Sequence, residues 1–223
     1  MGNAEMRSPH TLFLEHLLNG NKPDASRIIH DLVKENTSIK SIYEKVIKPA
    51  LYQVGDFWEQ NWITVAEEHT ATSITESIMN ELYPSIIAGA KGFPGKVVVG
   101  CVEGEMHQVG AKMVADMFEL RGWDTWFPGA NIPTSELVRY IQKIEPDVTA
   151  LSASIYFHLP ALENMILEIR AVFPDMPLLI GGQAFRHGGR EIISRFNRLT
   201  FISDLEELEI YINSYPHENT RPD

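Results

Sequence analysis

Apolar positions in the first ninety residues recur at helical spacing, with no short alternating runs among them. Residues 11–18 carry one such stripe, which stops at Asn19-Gly20. A second begins near Pro23 and carries Ile28, Ile29, Leu32 and Val33. A third runs over 38–58, with Ile42, Val46, Ile47, Leu51 and Val54 on one face. The fourth opens at Thr64, three residues before Glu67. That spacing predicts a capping box, in which hydroxyl and carboxylate each satisfy a backbone donor of the first turn. It continues through Ile74, Ile78 and Leu82 towards Ile87. Four helices with short connections predict a small bundle over 9–90.

The period changes after Gly95. Short apolar runs at 96–102, 124–127, 148–152, 178–180 and 199–202 alternate with helical patterns near 109–121, 135–144, 159–173, 189–195 and 205–212. Strand and helix alternating at this interval predict a parallel sheet covered on both faces, over 91–215. The last residues, 216–223, read as a flexible tail. Ligands of such sheets bind beyond the C-terminal strand ends, so 103–108, 153–160 and 181–188 are the loops of interest.

Composition removes several classes of function. The chain has 223 residues and a formal charge of −11, with its lysines and arginines scattered, so direct nucleic-acid binding is not expected. No apolar run is long enough to span a bilayer. The single cysteine, Cys101, excludes an internal disulfide and a multi-cysteine zinc site, and reads as a buried strand residue. No charged-then-apolar signal pattern opens the sequence, and cytoplasmic localisation is the expectation. His69 has Ala66 three residues before it, which fails the Glu-x-x-His pattern of a di-iron bundle. His158 and His187, on strand-end loops, are in reach of the rim of a ligand bound there, but loop histidines more often face solvent, and they read as solvent-facing.

Chemistry gathers on the three loops. His107 follows the first predicted strand, where a neutral imidazole can coordinate a metal. Glu105 can accept a hydrogen bond from the ring nitrogen that faces away, orienting the ring and raising its donor strength. Gly110, one turn into the next helix, permits close approach by a bulky group. Ser152-Ala153-Ser154 and Gly181-Gly182 end the third and fourth strands, and small residues there would leave a slot. Each segment alone is an ordinary loop or turn; the intervals between them are less ordinary. There are 41 residues between Gly110 and Ser152, and 26 between Ser154 and Gly181.

These segments resemble the cobalamin-binding signature Asp-x-His-x-x-Gly, Ser-x-Leu or Ser-x-Thr, and Gly-Gly, with Glu105 standing where aspartate is usual. The resemblance implies an α/β fold with an all-α cap: a four-helix bundle, then a Rossmann-like, flavodoxin-type domain of five parallel strands. It implies His107 as the lower axial ligand of cobalt, displacing the cofactor's own base. Glu105 and Ser152 would form its hydrogen-bonded relay, and Ser154, Gly181 and Gly182 would line the nucleotide tail.

In the helical half, Trp58, nine residues and then Glu68-His69 resemble the Trp-x9-Glu-His signature of B12-dependent photoreceptors of the CarH type. That resemblance implies an indole packed over an upper 5′-deoxyadenosyl group, contacted by the Glu-His pair and released on illumination. The competing reading makes Trp58 a core residue and Glu68 a helix-dipole carboxylate. Glu59 follows Trp58 where that family carries histidine, which excludes a bis-histidine light state through this position. The residues before Thr11 are too few for the family's DNA-binding domain, so transcriptional output is expected to pass through a partner. The expectation is therefore a non-enzymatic sensor that binds adenosylcobalamin, with methylcobalamin as the other form, and signals through a protein partner or a homo-oligomer. A corrinoid subunit that carries methyl groups for a methyltransferase is the alternative.

Overall fold

The computed structural model describes residues 7–90 and 95–215. They divide into two compact units, with the boundary between Ser85 and Ile86. Residues 91–94, at the expected start of the second domain, and the expected tail 216–223 lie outside the described residues.

The first unit is helical. Its start signals act where the sequence places them. Ser8 caps α1 (Pro9–Leu18) by accepting from Thr11 N, with Pro9 in the first turn. Asn21 caps α2 (Lys22–Lys34) in the same way. The long third stripe is a composite of α3 (Ile39–Ile42), a π-helical turn (Tyr43–Ile47) and α4 (Lys48–Glu59). Pro49 supplies a physical reason for the π-turn. It has no N–H to donate, and its ring collides with the carbonyl four residues back in a regular α-helix. The widened turn instead takes Lys48 N to Tyr43 O.

The predicted capping box opens α5 (Val65–Gly89). Thr64 N donates to Glu67 Oε2 at 2.7 Å, and Glu67 N donates to Thr64 Oγ1 at 3.2 Å. Pro84 lies inside this helix, next to the unit boundary. The bundle core is Phe13, Leu17, Ile29, Ile42, Tyr43, Ile47, Ile78, Met79 and Leu82, all fully buried. Side chains of this size contribute about 1.5–3 kcal/mol each on burial.

The second unit is a five-stranded sheet in the order β2-β1-β3-β4-β5, parallel throughout. Its strands are β1 (Lys96–Cys101), β2 (Asp124–Trp126), β3 (Val148–Ser152), β4 (Leu178–Gly181) and β5 (Leu199–Ile202). The helices are α6 (Val109–Leu120), α7 (Thr134–Ile144), α8 (Leu159–Val172) and α9 (Leu205–Ser214). Strands β1 and β3 are buried along nearly their whole length, which explains why they read as continuous apolar runs rather than alternating ones. The flavodoxin-type architecture expected from the sequence is the observed one. One element differs. The helix expected near 189–195 is a 3₁₀ turn, Arg190–Arg195. It follows Gly188 and Gly189, both at positive φ, and Gly189 sits tightly against Leu159. A residue in the left-handed region cannot open a right-handed helix, so the expected start at Gly189 is not helical.

Candidate functional site

Strand order β2-β1-β3 places a topological switch point between β1 and β3, where chain connections leave in opposite directions and open a crevice. The loop after β1 carries Glu105 and His107; the loop after β3 carries Ser154. Cys101, Ser152 and Gly181 stand level across the sheet, since Cys101 pairs with Ser152 and Ser152 with Gly181. The three signature segments therefore emerge from adjacent strands at one height.

At the centre is Glu105, whose side chain is fully buried. Oε1 accepts from His107 Nδ1 at 2.6 Å and from His107 N at 3.0 Å. Oε2 accepts from Ser154 N at 2.8 Å, Ile155 N at 3.1 Å and His158 Nδ1 at 3.1 Å. Burial alone pushes a carboxyl up. Here the hydrogen bonds from His107, His158 and Ser154 outweigh it and bring Glu105 down to about 2. The carboxylate is thus charged and acceptor-only, so Nδ1 of His107 carries a proton, and in the neutral ring Nε2 carries the lone pair. The ring is 40% exposed. An oriented, part-exposed imidazole at the strand ends, backed by a buried anion, has the chemistry of an axial ligand to a transition metal.

The rest of the loop is tied down from both sides. Asn131 N donates to Glu105 O at 3.0 Å, and Gly104 N donates to Asn131 Oδ1 at 3.3 Å. Glu103 accepts from Thr134 N and from Thr134 Oγ1. Ser154 Oγ donates to the His107 carbonyl at 3.5 Å. Beneath them Cys101 is buried as expected, and burial first, then the Glu105 charge, pushes its thiol up to about 12.

Gly110 is the second residue of α6, and a Cβ there would meet open space. Gly181 and Gly182 are different. A Cβ on Gly181 would stand 2.7 Å from Ile202 O, and one on Gly182, at φ +113, would stand 2.1 Å from Ala153 O. The missing side chains face neighbouring backbone, not a slot. Any part these glycines take in lining a ligand is through their main chain.

Two further readings differ from the structure. Ser152 closes β3, where its carbonyl accepts from Val102 N, and its hydroxyl is not among the partners of Glu105. His158 does not simply face solvent; it is three-quarters covered and bonded to Glu105. Sequence reasoning missed it because 53 residues separate the two. Its position four residues after Ser154 is the one signal that could have found it. His187 is exposed, as expected.

In the helical unit, Trp58 lies near the end of α4 and is 39% exposed. Glu68, on the first turn of α5, accepts from Thr72 Oγ1 at 2.9 Å and pairs with His69 Nδ1. Its side chain is 13% exposed, whereas that of His69 is 72% exposed. Trp62 and Val65 add exposed apolar surface to the same α4–α5 corner. Among the described residues no helix is long and apolar enough to cross a membrane.

Two family models match the chain, both described as B12 binding domain, over residues 95–198 and 11–83. The HTH-type transcriptional repressor CarH of Myxococcus xanthus is 25% identical over 166 residues, covering 74% of this chain and 54% of the repressor. The match thus spans about half of that protein. Dimethylamine corrinoid protein 1 of Methanosarcina acetivorans is 25% identical over 166 residues, covering 72% of this chain and 77% of that protein. The solved structure of the Methanosarcina barkeri monomethylamine corrinoid protein superposes with a TM-score of 0.74 at 14% identity, covering 90% of this chain and 95% of the other, a likeness of fold. Matched over both of its units, this chain is a cobalamin-binding protein of the B12-binding domain family, similar to the B12 module of CarH.

Proposed function

We propose that this protein is an adenosylcobalamin-dependent light sensor in which His107 is the lower axial ligand and Trp58, Glu68 and His69 meet the upper face of the cofactor. The bound cofactor would supply a cobalt–carbon bond that light can break. Glu105 holds the His107 ring in the tautomer that presents Nε2, and Ser154 and Ile155 hold Glu105. Gly110 leaves room for a large ring beside the first turn of α6, and Ser154, Gly181 and Gly182 border the tail.

The observation that carries the sensing reading is the α4–α5 corner. A part-exposed indole stands there, ten residues before a Glu-His pair whose carboxylate is pinned by Thr72. An indole left without full cover in the helical unit is suited to a removable ligand, and its repacking is a two-state element. The signal would pass to a second copy of the chain or to a protein partner in the cytoplasm, without catalysis by this chain.

A methyl-carrying corrinoid subunit is the second reading. It is favoured by coverage: 77% of the dimethylamine corrinoid protein is matched, against 54% of the repressor. One experiment separates the two. The protein is loaded with adenosylcobalamin in the dark, and its absorption and elution volume are recorded before and after green light. Rapid photolysis with a changed elution volume is expected. Preferential binding of methylcobalamin, with its methyl group passed to a corrinoid-dependent methyltransferase and no light-dependent change in size, would overturn the sensor in favour of the carrier.

A further inference from the structure

The buried carboxylate that orients His107 serves a second imidazole. Glu105 Oε1 takes both donors of His107, while Oε2 takes Ser154 N, Ile155 N and His158 Nδ1. His158 reaches it by a 3₁₀ turn, Tyr156–His158, closed by His158 N donating to Ile155 O at 3.0 Å. Its ring lies over Gly104, where a Cβ would come 3.8 Å from Nε2.

Three of the five donors on Glu105 are backbone N–H groups, fixed by the chain itself. The carboxylate therefore stays in place without His158, and a bond from that ring has an electronic consequence instead. A donor on one oxygen withdraws negative charge from the other, because the two share it. Both rings thus draw on one anion, and what His158 takes is lost to the His107 Nδ1–H bond.

We propose that His158 is a positioning residue that tempers Glu105, weakening its pull on the His107 Nδ1–H and so keeping the hold of His107 on cobalt loose enough to be exchanged. The inference rests on the reading that His107 is the axial ligand. Ordinary outer-shell partners strengthen a ligating histidine; this one opposes the partner that does so.

The test uses the full chain with two substitutions. His158→Phe keeps a ring but removes the donor, and His158→Asn returns a donor, its Nδ2, close to the position of Nδ1. Each variant is titrated with hydroxocobalamin at neutral pH, and the midpoint concentration for appearance of the His-on spectrum is recorded. In His158→Phe the midpoint concentration is expected to fall roughly 3–10-fold, a tighter hold, part of the 10–100-fold range of a whole outer-shell carboxylate. His158→Asn should restore the original midpoint. In the cofactor-free protein, the ¹⁵N-detected Nδ1–H of His107 should move downfield in His158→Phe, as its bond to Glu105 strengthens. A rise in the midpoint would make His158 an anchor and overturn the proposal; an unmoved midpoint with an unmoved Nδ1–H signal would also overturn it. If His107→Ala keeps a His-on spectrum, the ligand assignment fails, while the cofactor-free signal still decides the competition for Glu105.

Discussion

The two candidate faces of this protein are built on opposite principles. After β1 and β3, one buried carboxylate gathers five hydrogen bonds from two loops, and His107 is bound to it through both Nδ1 and its main-chain N. At the α4–α5 corner, Glu68 has two side-chain partners, His69 is mostly exposed and Trp58 is neither buried nor free. A group that must hold its geometry permanently is over-determined; a group that responds to a ligand's departure cannot be. Under the proposed function the difference separates a holding site from a responding one, and substitutions on each side should behave differently.

The largest effect is expected at the carboxylate. Glu105→Ala leaves several buried donors without an acceptor, each costing about 1–3 kcal/mol, so urea unfolding of the cofactor-free protein should show a loss of about 3 kcal/mol or more. Cobalamin affinity should fall about 10–100-fold as well. The acid side carries the same signature. A carboxyl lowered from 4.5 to about 2 contributes stability that is fully present above pH 4.5 and is lost as the pH falls towards 2. Glu105→Gln should therefore flatten the acid limb of the stability profile between those values. An unchanged limb would mean that the carboxylate is not charged in the folded chain.

Next is Gly182→Ala. A Cβ at φ +113 would stand 2.1 Å from Ala153 O, so backbone has to move. Strain of this kind costs about 1–3 kcal/mol, and a melting-temperature drop should appear without cofactor. A drop only in the loaded protein would instead make this glycine a ligand contact and not a packing device.

The helical corner should show the reverse balance. Trp58→Ala removes a side chain that is already 39% exposed, so the cofactor-free protein should lose no more than about 1.5 kcal/mol, below the 3–5 kcal/mol of a core tryptophan. Discrimination between adenosylcobalamin and methylcobalamin should weaken while total corrin binding is kept. A core-sized loss of stability with unchanged discrimination would return Trp58 to an ordinary packing role.

What the sequence disclosed, and what it hid, follows from range. The strands were legible because β1 and β3 are buried on both faces and read as apolar runs, and α5 was legible because Thr64 and Glu67 signal locally. Glu105 and His107 are two residues apart, so their bond could be anticipated. The π-turn at Tyr43–Ile47 was not, since it answers to Pro49 in a stretch whose stripe looks uniformly helical. Nor was the part of His158, which is brought to Glu105 from another strand end. Ser152 shows the converse: its place in a motif predicted a side-chain partner, but the fold uses its carbonyl.

Gly110 gives the smallest and cleanest separation of holding from folding. A Cβ there meets open space, and glycine within a helix is less stable than alanine by roughly 0.5–1 kcal/mol. Gly110→Ala should therefore leave the cofactor-free protein slightly more stable in urea. If a corrin ring rests against this turn, the same methyl group should weaken cobalamin binding, so stability and affinity would move in opposite directions. No packing role for the glycine produces that combination. Gains in both would mean that the ring lies elsewhere on the sheet edge, and would leave His107 to be reached from another side.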